Sequence, residues 1–131
     1  MKLTLKHALA AILLVVSFAA SVAAGPLEDA DAAVKRRDYA TALRLIRPLA
    51  KQGDATAQYN LGVFYDNGLG VPQDHVRALM WLNLSAAQGE KNAVEPDAVE
   101  ARDKVVQEMT PEQIAEAKKL AREWKPTKQQ P

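Results

Sequence analysis

Ala57-Gln58-Tyr59-Asn60-Leu61-Gly62-Val63-Phe64-Tyr65, a turn containing Gly68, Gly70 and Pro72, then Ala78-Leu79-Met80-Trp81 and Ala86-Ala87-Gln88-Gly89, with Ala93 beyond, decide the fold. Two runs with apolar residues at helical spacing flank a glycine-rich connection, which is the pattern of a helical hairpin. Ala57, Leu61, Phe64 and Tyr65 share one side of the first run, and Ala78, Trp81, Leu82, Ser85 and Ala86 share one side of the second. Asp66-Asn67-Gly68 ends the first helix, because asparagine and glycine tolerate positive φ. Asp74 is placed to cap the second. Small residues stand where large ones would hold helices apart, so the hairpin keeps an apolar side that only a stacked neighbour can cover.

The chain supplies neighbours on both sides. Upstream, Leu27 to Arg36 carries Leu27, Ala30, Ala33 and Val34 at helical spacing, with acids early and bases late. Asp38 suits an N-cap, and Ala42, Leu43, Ile46, Leu49 and Ala50 give the next helix its apolar face, with Pro48 inside it. Gly53 stops that helix and Asp54 caps the following one. Shifting the chain by 36 residues aligns Asp38 with Asp74, Ala42 with Ala78, Leu43 with Leu79, Ala50 with Ala86, Gln52 with Gln88, Gly53 with Gly89 and Ala57 with Ala93. The aspartate and glycine matches fall at a helix start and a helix stop, so the repeat is structural.

Downstream the pattern thins. Pro96 either opens a helix at its first turn or kinks one begun earlier, and Val99, Val105, Val106 and Met109 read as helical. Thr110-Pro111-Glu112-Gln113 is a full start signal: threonine caps, proline takes the first position and Gln113 completes a capping box, with Met109 and Ile114 placed as a staple. The last helix is expected to run to about Trp124, leaving 126–131 as a disordered tail.

The period and the residues Ala57, Leu61-Gly62, Tyr65, Gly68-x-Gly70-Val71, Asp74, Ala78-x-x-Trp81, Ala86-Ala87 and Gly89 resemble the Sel-one-like repeat, a relative of the tetratricopeptide repeat. The resemblance is nearly complete over 54–89. It is partial over 27–53, where the loop is compressed to Arg36-Arg37 and Leu45 stands for the tryptophan. Residues 90–125 are similar to a terminal capping unit. The resemblance implies an all-α, short α-α superhelix of about three helical hairpins occupying 25–125. It also implies that first helices line a concave face holding protein partners. On the first central helix the side opposite Leu61 and Tyr65 carries Thr56, Tyr59, Val63 and Asp66, with Asn67 next to them. These are the candidate partner-binding residues.

Composition bounds the function classes. Lys2 and Lys6 precede an apolar stretch from Ala8 to Ala20, and Ser21-Val22-Ala23-Ala24 offers small residues for cleavage after Ala23 or Ala24, so 1–24 read as a signal peptide. The apolar run is shorter than the roughly 20 residues that span a bilayer. The expectation is export to the periplasm, or secretion, with no membrane attachment after cleavage. Without Lys2 and Lys6 the 17 basic residues fall to one fewer than the 16 acidic ones. Such a balance gives no basis for nucleic-acid binding, which rests on clustered cations. There is no cysteine, hence no disulfide or thiolate metal site.

Catalytic chemistry finds little material. Beyond residue 24 there is one serine, Ser85, on an apolar helical face, and one histidine, His75, beside the cap Asp74 and expected to be solvated. No Ser-x-x-Lys nucleophile and no second histidine to share a metal are present. Asn83-Leu84-Ser85 fits a glycosylation sequon but lies within a packed helix. The expectation is a non-enzymatic adaptor without cofactor or metal. The alternatives are an envelope-associated hydrolase or penicillin-binding-like protein, or a membrane-anchored structural subunit with an uncleaved N-terminal helix.

Overall fold

Four side-chain caps set where the helices begin. In the computed structural model, which describes residues 25–89 and 93–128, Asp38 accepts the Thr41 N–H at 3.2 Å, Asp54 the Ala57 N–H at 2.8 Å and Asp74 the Arg77 N–H at 3.0 Å. At Thr110 the capping box closes in both directions, at 3.2 and 3.0 Å. The resulting helices are α1 (Pro26–Lys35), α2 (Tyr39–Gln52), α3 (Ala55–Asn67), α4 (His75–Ala86), α5 (Glu95–Val105) and α6 (Pro111–Glu123), and no strand occurs among the described residues. Pro96 lies in the first turn of α5, so it opens the helix. A 3-10 turn, Val106–Glu108, leads from α5 toward α6. The expected signal peptide, 1–24, lies outside the described residues, as do 90–92.

Helices α1 and α2 pair, α2 packs on α3, and α3 on α4; α5 and α6 both pack against α4 and close that end. The first core cluster holds Ala42, Leu43, Ile46, Leu61, Phe64 and Trp81. The second joins Ala78, Leu79 and Leu82 to Val105 and Ala117. Close approach explains two of the glycines. A Cβ at Gly62 would stand 2.8 Å from Leu82 Cγ and 3.2 Å from the Ala78 carbonyl oxygen, so α3 and α4 can cross only over glycine. Gly70, at φ +66°, lies where a Cβ would meet Leu43 Cδ1 at 2.9 Å and Tyr39 Cβ at 3.0 Å. The second hairpin's loop thus folds back onto the start of α2.

Buried polar groups join the units. Gln58, 1 % exposed, donates to the Ala50 carbonyl at 3.2 Å and accepts from Gln88 Nε2 at 3.0 Å. Gln88 Nε2 also reaches the Gly53 carbonyl at 2.8 Å. Ser85 is fully buried and its hydroxyl donates to the Ala55 carbonyl at 2.8 Å. The sequon serine therefore ties α4 to the start of α3.

The tail departs from the expectation of disorder over its first part. Trp124 packs edge-on against Trp81, with ring centroids 6.1 Å apart. Beyond it, the Thr127 N–H and hydroxyl donate to the Lys51 carbonyl at 2.8 and 3.2 Å. The end of α2 leaves carbonyls without helical partners, and this segment meets one of them. Residues 129–131 lie outside the described residues.

Candidate interaction surface

Three first helices, α1, α3 and α5, carry the candidate surface, with α3 in the middle. Residues 59, 63, 66 and 67 recur at three- and four-residue spacing and share one face of α3. Opposite them α5 presents Asp97, Glu100, Ala101 and Lys104 with the same periodicity. The structure brings both sets together around a cleft of about 350 Å³. On the other side of α3, a groove of about 290 Å³ is bounded by Ala30, Asp31 and Val34 of α1, Ile46 of α2, Tyr59, Asn60, Val63 and Phe64 of α3, and Leu69. Tyr59 and Val63 belong to both. Of the five residues expected at this surface, Tyr59, Val63, Asp66 and Asn67 converge; Thr56 is half-buried in the first turn of α3 and lines neither cavity.

The two cavities differ in character. The α1–α3 groove is mostly apolar, with Asp31 at its edge bridged to Lys35 at 2.7 Å. The α3–α5 cleft is polar and rich in carboxylates. Lys104 Nζ bonds Glu100 Oε1 at 2.6 Å, and that hydrogen bond and charge hold the Glu100 carboxyl below its usual range and the Lys104 ammonium above its own. Partial burial raises the Tyr59 phenol, and the charges of Asp97 and then Glu100 raise it further, with Lys104 opposing them.

Hydrogen bonds hold the end of α3 in place. Asn67 Nδ2 donates to the Val63 carbonyl at 2.9 Å, and Gln73 Nε2 to the Asp66 carbonyl at 2.7 Å. His75 corrects the sequence expectation: its ring is partly buried and Nδ1 lies 3.1 Å from Asp66 Oδ1. The turn back from α3 sets the first residue of α4 beside the last turn of α3, which draws the imidazole out of solvent. Tyr65 packs against both core clusters, with the Arg77 guanidinium 5.7 Å from its ring centre.

Sequence reasoning missed the α5 wall and the α1 side of the groove. The i, i+3, i+4, i+7 spacing from Asp97 to Lys104 was visible, but nothing local showed that this face turns toward α3. Among the described residues no group of three or more His, Asp or Glu side chains could hold a metal ion, and no helix is long and apolar enough to cross a membrane.

Residues 29–54 and 55–90 each match the family model of the Sel1 repeat. The chain carries two Sel1 repeats. The first spans α1 and α2 and the second begins with α3, so the compressed loop at Arg36-Arg37 is a variant of the same unit. No curated protein and no solved structure gives a significant match to the chain. Sel1 repeats are generally protein–protein interaction modules and typically not enzymes. In this Sel1 repeat chain the letters of the repeat, from Ala57 and Leu61-Gly62 to Trp81, serve packing. The cavity walls come largely from residues between those letters.

Proposed function

We propose that the chain is a periplasmic or secreted adaptor that holds a segment of a partner protein against the concave surface of α1, α3 and α5. The observation that carries this reading is the pair of adjoining cavities sharing Tyr59 and Val63. Two side chains with a common apolar edge, open on both sides, offer more contact than solvation requires, and such surfaces mark interaction sites. The basic n-region, apolar run and Ala-rich end of 1–24 support export. A hydrolase reading finds no footing at Ser85, whose hydroxyl is buried and directed at the Ala55 carbonyl.

A photo-crosslinking amino acid at Asn67 in living cells should capture a partner that the same group at Lys118, beside α4, does not. The Tyr59→Ala, Val63→Asp double variant should lower that capture. Equal capture from both positions, or capture indifferent to the double variant, would sink the concave-surface assignment. Export is tested separately by intact mass, where loss of about 24 residues marks a cleaved leader.

A further inference from the structure

We infer that the segment held by this surface is basic and partly apolar: a lysine or arginine seated between α3 and α5, and an apolar side chain lodged between α1 and α3. The inference rests on the adaptor reading and adds the chemistry of the partner.

Charge comes first. The α3–α5 cleft presents three carboxylates, Asp66, Asp97 and Glu100, and one ammonium, Lys104. Glu100 already engages that ammonium, and Asp97 has no ion pair among the described residues. The remaining neighbour, His75, meets a single oxygen of Asp66. Three carboxylates against one ammonium leave this cleft net negative, so it attracts a cation and repels an acidic segment. Tyr59 registers that field from inside the cleft, since both Asp97 and Glu100 oppose ionisation of its phenol. Lys104 Nζ, 2.6 Å from Glu100 Oε1, shows that an ammonium is already met by a carboxylate at this wall.

Geometry supplies the second part. The neighbouring groove, with Val34, Ile46, Val63, Phe64 and Leu69, suits an aliphatic or aromatic side chain. The two cavities flank α3 and share Tyr59 and Val63, so they lie one helix diameter apart, about 10 Å. An extended chain advances about 3.3 Å per residue, which sets the two anchors about three residues apart. A peptide crossing α3 over Tyr59 and Val63 reaches both.

Selection of phage-displayed random peptides of about twelve residues on the purified full chain tests this directly, because that length crosses α3 in extended form. Recovered peptides should carry Lys or Arg about three residues from Leu, Ile, Val, Phe or Met. Their affinity should fall about tenfold or more for Asp97→Asn, Glu100→Gln, and should weaken as salt rises. Both positions are exposed, so this variant keeps its fold, which a thermal melt by circular dichroism verifies. Neutral or acidic peptides that bind the wild type but not Val63→Arg would overturn the inference and leave the adaptor reading intact. Peptides binding wild type and Val63→Arg alike, or a selection without enrichment, would overturn both.

Discussion

The two sides of α3 are built from different materials. Toward its neighbours in the core the helix turns Ala57, Gln58, Leu61, Gly62 and Phe64, all buried. Toward α1 and α5 it turns Tyr59, Val63, Asp66 and Asn67, which are half-buried or exposed and line cavities. The first side is where the repeat is recognisable: leucine and glycine at fixed places, meeting Trp81 and Leu82 on α4. On the second side Tyr59 rests partly against the core cluster of α4, α5 and α6, and the cavities leave the rest of this face to solvent or a partner. The same thirteen-residue helix therefore separates architecture from recognition.

Substitutions that strike one side and spare the other can break that distinction. Trp81→Ala should cost most. Its indole is 7 % exposed and meets Trp124, so truncation opens a cavity between α4 and the end of α6 and removes about 3–5 kcal/mol in urea unfolding. Tyr59→Ala, on the half-buried side, should cost about 1–2 kcal/mol and show its main effect in partner capture. Equal losses of stability from the two would erase the distinction.

Gly62→Val comes next. Leu82 is fully buried and cannot swing clear of the new Cβ, and the Ala78 carbonyl stands behind it, so overpacking should remove about 1–3 kcal/mol. Five residues on, Asn67→Ala should change stability by no more than about 0.5 kcal/mol, since its amide only meets the Val63 carbonyl at the surface. Gln58→Leu should fall between them, at about 1 kcal/mol, because the Ala50 carbonyl keeps its bond from the Gly53 N–H. Midpoints of chemical unfolding rank all three.

How legible these features are in sequence follows from how far apart their partners lie. Asp38, Asp54, Asp74 and Thr110 bond donors three residues away, so cap chemistry reads directly from the chain. Gly68 and Gly53 end helices by their own backbone freedom, with φ of +66° and +103°. The 36-residue period was visible because both units reuse those signals. Gln58 with Gln88, Trp81 with Trp124, and Thr127 with Lys51 are different in kind. Each joins residues brought together only by stacking, the last across 76 positions, and no local pattern announces them. His75 fails for the same reason: its position beside a cap suggests solvent, while its carboxylate partner lies nine residues back across the hairpin. The cleft was half legible, through the face of α3, and half hidden, through α5.

The smallest effect bears on the recognition side alone. Burial and the charges of Asp97 and Glu100 raise the Tyr59 phenol above the ordinary value for tyrosine, about 10. A raised folded-state value means that folding favours the protonated phenol. Any stability linked to it is present below the unfolded value and lost as pH rises through the folded one. Ultraviolet titration of wild type against Tyr59→Phe isolates this ionisation, and its midpoint should lie above that of free tyrosine. In the Asp97→Asn, Glu100→Gln background it should move down but stay above the free value, because burial is the larger cause and remains. Added salt should reproduce part of the downward movement by screening the carboxylates. A midpoint indifferent to both changes would mean that the two carboxylates of α5 do not act on the phenol, and the negative cleft would lose its internal witness.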